Sequence, residues 1–342
     1  MSWRIGVLAG TGTVLKRTLP ALLASTDCRV TVMHGRDPDR LRAVAAVDPT
    51  IRLAASEAQF AELRPYYDVV FIGSPPFLHL PHLELAFRLG TPVICEKPLT
   101  ARRADYPRLA GLLGAGGLPF ALAHQVRHQQ AVAELSRLIS CGDLGAPVAA
   151  DLHWCFLMNH AASNARWKLD PTLGGSNAMF DCGVHAIDLA LLLFGMPTRA
   201  GATAHRINGA AVQDAVTVVL DYPGLAVTIV ASQAAAAAGN DVRIVFERGT
   251  AHARGLLGER AAPAVEVVGA KAQSAGHVKK IACADDDLYR REVEDFCRSL
   301  NGSAPGLGTS AAEALDAARI LFAIEDSIAS GRFVELGGYC PQ

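Results

Sequence analysis

The sequence carries almost no net charge, with 32 lysines and arginines against 33 aspartates and glutamates and a formal balance of -1 at pH 7. No bulk field therefore draws it to nucleic acid or to an anionic membrane surface. Its densest basic group, His277, Lys279 and Lys280, is too short for a phosphate-backbone stripe. Long apolar runs are missing too: the tract from Gly224 to Gly239 is broken by Ser232 and Gln233 and falls short of a membrane span. Among eight cysteines (Cys28, Cys95, Cys141, Cys155, Cys182, Cys283, Cys297, Cys340) there is no C-x-x-C pair, which argues against a zinc knuckle or a thioredoxin-like site. Thiols so widely spaced in so long a chain read as reduced and mostly buried. Ser2-Trp3-Arg4 leads directly into a strand-like run without the pattern of a signal peptide, so cytoplasm is the expected compartment.

What is present is apolar and long. The 342 residues are 51% hydrophobic and 19% charged, enough for two or more domains with large cores and unlike a disordered chain. From Trp3 to about Leu122, short Val/Ile/Leu runs alternate with helical patterns, the signature of βαβ units around a parallel sheet. Strands are expected at Arg4 to Ala9, Arg29 to Met33, Ile51 to Leu53, Val69 to Ile72, Pro92 to Cys95 and Phe120 to Leu122, in a doubly wound order. After Gln130 the rhythm changes. A helix over Ala131 to Ile139 stops at Cys141-Gly142, and alternation through Val148 to Phe156 predicts a half-exposed strand. Further runs at Ala215 to Asp221, Leu225 to Ala231 and Val242 to Phe246 lack intervening helices and predict an antiparallel sheet. Helices over Leu288 to Leu300 and Thr309 to Ser330 close the chain. The expected organisation is an α/β fold, with a parallel-sheet domain over residues 1–123 and an α+β domain over 124–342.

Three places carry chemistry. Gly10-Thr11-Gly12, followed by Thr13 and Val14, comes after the first strand and before a helix expected from about Thr13 to Ala24. Such a turn lets backbone N–H groups approach a pyrophosphate, although Leu15 stands where the third glycine of G-x-G-x-x-G is usual. The second strand ends in His34-Gly35-Arg36-Asp37, with glycine where an acid would bond the ribose of NAD. Arg36 suits a 2′-phosphate and so favours NADP over NAD; otherwise it is a solvated loop residue beside an Asp37 helix cap.

Cys95-Glu96-Lys97-Pro98 lies at the carboxyl end of the fifth strand, where open α/β sheets bind ligands. Only six of the 32 basic residues are lysines, so a lysine here suggests a proton-handling role, the alternative being a salt bridge to Glu96. In Gly174-Gly175-Ser176-Asn177-Ala178-Met179-Phe180-Asp181-Cys182-Gly183-Val184-His185-Ala186-Ile187-Asp188, Asp181 and His185 are four apart and share a face if the segment is helical. Asp188 is an alternative orienting acid or a structural partner. A buried core histidine is the plainer reading of His185, and zinc on Asp181, Cys182 and His185 lacks a partner motif, so no metal is expected. Arg166, Trp167 and Lys168 precede this segment as candidate substrate-pocket residues, with Trp167 as a packed loop residue in the alternative.

Together these segments resemble the glucose-fructose oxidoreductase and inositol dehydrogenase (Gfo/Idh/MocA) family over essentially the whole chain. The likeness rests on I-G-V-L-A-G-T-G, V-V-F-I-G-S-P-P-F-L-H, V-I-C-E-K-P-L-T and G-G-S-N-A-M-F-D-C-G-V-H-A-I-D, with Y-R-R-E-V-E-D-F and S-I-A-S-G-R-F-V-E-L near the end. The resemblance implies an N-terminal Rossmann domain and a C-terminal domain whose open, mostly antiparallel sheet builds homodimers or homotetramers. It also implies a nicotinamide cofactor, NADP or NAD, and a sugar, cyclitol or related polyol substrate. Lys97, Asp181 and His185 match the family's catalytic positions, and the Lys97-Pro98 bond is expected cis. Ser74, Pro75, His79 and Glu96 match positions around the cofactor, and Arg127 falls at a substrate-side position. Pro76 replaces a common asparagine, and Gln125-Val126-Arg127-His128 departs from the usual arginine-phenylalanine ending. The expected chemistry is hydride transfer, with His185, oriented by Asp181, taking the hydroxyl proton and Lys97 stabilising the developing alkoxide. An imine or C=C reductase and a non-catalytic dinucleotide-binding sensor stand as alternatives.

Overall fold

A computed structural model describes residues 2–159, 167–207, 211–236, 240–258, 264–269, 278–302 and 306–341. Arg166 and His277 lie outside the described residues. The chain forms two compact units, Met1–Gln125 with Tyr289–Leu315, and Val126–Leu288 with Asp316–Gln342.

The first unit is built on six parallel strands, β1 Trp3–Leu8, β2 Cys28–His34, β3 Arg52–Ala54, β4 Val69–Ile72, β5 Val93–Glu96 and β6 Phe120–Ala123. Their order, β3-β2-β1-β4-β5-β6, is doubly wound and reverses between β1 and β4. Continuous apolar runs such as Val69-Val70-Phe71-Ile72, all buried, are what a sheet covered on both faces requires. The connecting helices are α1 Thr13–Lys16, α2 Thr18–Leu23, α3 Pro38–Val47, α4 Glu57–Glu62, α5 His79–Arg88 and α6 Tyr106–Gly114.

Where a single helix over Thr13 to Ala24 was expected, the chain breaks at Arg17 (φ -127°, ψ -64°). The cause is Pro20, which has no N–H to give residue 16 and whose ring would clash with that carbonyl in a continuous helix. Tyr289–Leu315 joins this unit because Val293, Phe296 and Cys297, on α9 Leu288–Ser299, pack in one core with Ile5, Val7, Cys28, Val30 and Phe71.

The second unit holds a nine-stranded sheet in the order β14-β13-β12-β11-β7-β10-β9-β8-β15. Its strands are β7 Pro147–Cys155, β8 Arg199–His205, β9 Ala215–Tyr222, β10 Leu225–Ser232, β11 Val242–Phe246, β12 Gly249–Ala253, β13 Ala264–Gly269, β14 Lys279–Ala282 and β15 Val334–Glu335. β7 and β10 pair in parallel and all other neighbours are antiparallel. Helix α7, Gln130–Cys141, ends on Gly142 in the left-handed region (φ 69°), as its sequence predicts. Helix α8, Gly183–Phe194, is buried at every position from Gly183 to Leu191 and lies on β7 and β10. A helix buried on all sides belongs in a core, and this one brings the Gly174–Asp188 segment with it. Helix α10 runs from Ala311 to Ser330. Among the described residues no helix is long and apolar enough to cross a membrane.

Candidate active site

In the first unit the loops after β1 and β4 sit side by side at the point where strand order reverses, the place where such sheets bind ligands. Ala9 adopts a left-handed backbone (φ 61°), and two successive N–H groups at the start of the turn are held by one residue. His34 Nδ1 accepts from the Ala9 N–H at 3.1 Å, and the His34 carbonyl accepts from Gly10 N–H at 2.9 Å. Burial of His34 lowers its pKa to about 4, which keeps Nδ1 an acceptor.

A Cβ added to Gly12 would meet nothing within 4 Å, so this backbone faces open space, as a pyrophosphate would need. Thr13 opens α1, Val14 is buried in the core, and Leu15 packs against that core as a partly buried residue, which accounts for its size at a position usually small. At Gly35 the space is already taken: a Cβ would lie 2.3 Å from Thr11 Cγ2. No acidic side chain can begin there without displacing Thr11. Arg36 is exposed next to it, while Asp37 caps α3 by accepting from Asp39 and Arg40 N–H groups at 3.0 and 3.2 Å. Arg40, which the sequence reading passed over, donates from Nη1 to the Thr11 carbonyl at 3.0 Å.

Ser74 and His79 are buried and Pro75 half-buried. The His79 ring bridges two loops, with Nε2 2.9 Å from the Ser74 carbonyl and Nδ1 2.9 and 3.2 Å from those of Pro98 and Leu99. Complete burial lowers its pKa to about 4. His79 thus ties the β4 loop to the segment carrying Glu96 and Lys97, both half-buried, where the Lys97 amide lies 3.3 Å from Glu96 Oε2 and the Lys97-Pro98 bond is cis. Unfolded, such rings titrate near 6.5; folded, His34 and His79 titrate near 4. Between those values the unfolded chain binds more protons, so stability falls as pH falls. Urea unfolding across this range should show each ring adding up to about 1.4 kcal/mol per pH unit to the slope, part of which the His34→Asn variant removes.

In the second unit Asp181 lies just ahead of α8, at the end of a one-turn 3-10 helix over Ala178–Phe180, and His185 falls in the first turn of α8. Lys168 Nζ donates to both Asp181 carboxylate oxygens at 2.8 Å, and Gln233 Nε2 donates to one of them at 2.7 Å. Lys168 reaches it because Gly174 has no side chain: a Cβ there would be 2.7 Å from the Trp167 carbonyl and 2.8 Å from Lys168 Cα. Trp167 is half-buried, with the Lys168 ammonium 5.6 Å from its ring centre.

His185 is 3% exposed and stacks on Trp154 of β7, with ring centres 4.4 Å apart and planes at 23°. Arg127 is committed elsewhere: its Nε and Nη2 donate to the two oxygens of Asp188 at 2.8 Å each, both side chains almost wholly buried. Cys182 gives its thiol to the Ala178 carbonyl at 3.2 Å.

The structure therefore gathers Gly10, Thr11, Gly12, Thr13, Ser74, Pro75, His79, Glu96 and Lys97 on the carboxyl-end loops of one sheet, and Lys168, Asp181 and His185 around the head of α8. Trp154, Gln233, His34 and Arg40 were missed. Gln233, a polar interruption in the apolar Gly224–Gly239 tract, was the one with a visible signal.

Two family models match the chain: the NAD-binding Rossmann-fold oxidoreductase family over residues 4–140, and the GFO/IDH/MocA C-terminal domain over 132–252. A dTDP-3,4-didehydro-2,6-dideoxy-alpha-D-glucose 3-reductase of Streptomyces violaceoruber is 36% identical over 57% of this chain and 56% of its own length, so the match spans about half of that relative. A D-xylose 1-dehydrogenase (NADP(+)) of Haloferax volcanii is 28% identical over 97% of this chain and 99% of its own. The aldose-aldose oxidoreductase of Caulobacter crescentus, solved with glycerol, superposes with a TM-score of 0.85 at 18% identity, covering 98% of this chain and 100% of that one, and so shares the fold. With both domain models in sequence and a doubly wound dinucleotide-type sheet, the chain belongs to the Gfo/Idh/MocA oxidoreductase family.

Proposed function

We propose that this protein is an NAD(P)-dependent dehydrogenase or reductase acting on a secondary alcohol or ketone of a sugar, cyclitol or related polyol. The buried His185, held face to face with Trp154 at the head of α8, carries this reading, because oxidation at a carbinol needs one positioned proton acceptor. The residues of the first unit fit a nicotinamide dinucleotide: open backbone at Gly12 for the pyrophosphate, Arg36 for the adenosine ribose, and Ser74 with Pro75 for the far ribose. When bound, that group supplies the hydride acceptor or donor. His185 takes the hydroxyl proton in oxidation and returns it in reduction. Lys97 donates a hydrogen bond to the developing alkoxide. Asp181, the carboxylate assigned to orient His185, is itself fixed by Lys168 and Gln233.

The substrate reading follows the relatives, one acting on a nucleotide-linked deoxy-sugar and one on D-xylose. The open nine-stranded sheet is the expected surface for a homodimer or homotetramer, and cytoplasm the expected compartment. A panel of aldoses, inositols, keto-sugars and nucleotide-linked keto-sugars, followed by nicotinamide absorbance with both cofactors, tests the assignment. Turnover of cyclic imines or conjugated alkenes alone would make it an imine or C=C reductase, and cofactor binding without any turnover would make it a sensor.

NADP is the expected preference, since Gly35 carries no acid and Arg36 is a charged donor. A charge-assisted hydrogen bond is worth about 1.5 to 3 kcal/mol, so Arg36→Ala should raise KM for NADP roughly 10- to 100-fold and leave KM for NAD nearly unchanged. A wild-type enzyme that prefers NAD overturns the assignment of Arg36.

A further inference from the structure

Ser74 stands at the switch point of the parallel sheet, and its hydroxyl oxygen lies 2.9 Å from Nδ1 of His82 on α5. The other ring nitrogen, Nε2, lies 3.2 Å from Glu57 Oε1 on α4. His82 is 2% exposed, whereas the Glu57 side chain is 55% exposed. Chemistry fixes the direction of both bonds. A carboxylate has no proton to give, so Nε2 must carry the hydrogen and donate it to Glu57. Burial lowers the pKa of His82 against the pull of Glu57, and the nearby Arg36 cation pushes the same way. The ring is therefore neutral, Nδ1 has only a lone pair, and the Ser74 O–H donates to it.

The Ser74 hydroxyl has then spent its one proton. Toward any further partner its two lone pairs can only accept. We propose that His82 is a positioning residue for the dinucleotide: by taking the Ser74 hydroxyl hydrogen into a fixed bond, it presents the Ser74 oxygen as an acceptor to a ribose hydroxyl of the cofactor, with Glu57 setting the tautomer. This rests on the dinucleotide reading above. His34 plays the matching part across the switch point, where a second buried ring accepts from the Ala9 N–H of the β1 loop at 3.1 Å. Each wall of the crevice is thus backed by one neutral imidazole.

The test is dissociation of NADPH, read by fluorescence titration without substrate, in His82→Ala, His82→Gln, His82→Asn, Ser74→Ala and the His82→Ala/Ser74→Ala double variant. The asparagine oxygen stands near the place of Nδ1 and can still accept from Ser74, while glutamine reaches toward Glu57 in place of Nε2. Loss of one hydrogen bond predicts about a 10-fold weaker Kd for alanine and glutamine at position 82 and for Ser74→Ala. Asparagine should stay within about 2-fold of wild type, and the double variant should be no weaker than Ser74→Ala alone. In the His82 variants KM for NADPH should rise while kcat stays near the wild-type value, which separates positioning from catalysis.

Thermal melts identify any variant that fails to fold; the asparagine and glutamine pair then decides. Wild-type affinity in His82→Gln, or additive losses in the double variant, overturns the proposal. If the wild-type protein binds neither NADPH nor NADH, the dinucleotide reading itself is wrong and His82 falls with it.

Discussion

Replacing His185 by alanine should lower kcat by about 10² to 10⁴, the usual worth of a positioned proton transfer, while the Kd for NADPH stays at its wild-type value. The second half of that expectation follows from location, since every residue assigned to the dinucleotide belongs to the first unit and His185 to the second. Truncating a ring that is 3% exposed and stacked on Trp154 also leaves a cavity, so the variant should melt below the wild type while still folding. Steady-state rates with the best substrate from the panel, set beside a cofactor titration and a thermal melt, make the check. Equal rates for the variant and the wild type would remove His185 from the chemistry and return it to the status of a buried core histidine.

The second large effect is on folding. Arg127 and Asp188 form a bidentate pair with side chains 2% and 1% exposed. Two charges so far from water are costly to place there, and removing one partner strands the other, at about 3 to 5 kcal/mol. Asp188→Ala should therefore show that loss in denaturant unfolding of the second unit. Exchanging both residues for apolar ones of similar volume, Arg127→Met with Asp188→Leu, should recover most of it. If Asp188→Ala costs under about 1 kcal/mol, the guanidinium does not depend on this carboxylate. The same experiment addresses the substrate-side expectation for Arg127. A double variant that folds and keeps wild-type KM shows that Arg127 holds α8 in place and leaves the substrate to other residues.

Much of the first unit was legible because its signals are local. Buried parallel strands read as continuous apolar runs, and the strand ends at Ile72, Cys95 and Leu122 come within one residue of the structure. The break at Arg17 was also written in the chain, in Pro20, though the amphipathic pattern masked it. In the second unit β8, β12, β13, β14 and β15 went unread. Arg199–His205 and Gly249–Ala253 are rich in alanine and glycine, which carry little strand preference, and become strands because neighbours pair with them.

The site shows the same divide. Lys97, Asp181 and His185 stood out by residue type and spacing. The partners that fix them, Lys168 and Gln233 on Asp181 and Trp154 on His185, come from positions 13, 52 and 31 residues away in sequence, and no periodicity links them. Lys168, a substrate-pocket candidate by sequence, holds its ammonium on the Asp181 carboxylate. His34 and His82, behind the dinucleotide loops, were hidden for another reason: a buried imidazole bonded to a backbone N–H or to a serine hydroxyl leaves no pattern in composition.

The contact between Thr11 and the bare Cα of Gly35 also constrains how cofactor choice can drift. Introducing aspartate at position 35 to attract NAD would wedge its Cβ into the threonine methyl, so that single replacement should disorder the very turn it was meant to equip. Trimming position 11 first, to glycine or serine, opens a permissible route. Divergence in this preference is therefore expected to proceed through paired changes taken in one order, an epistasis built into one crowded corner of the crevice.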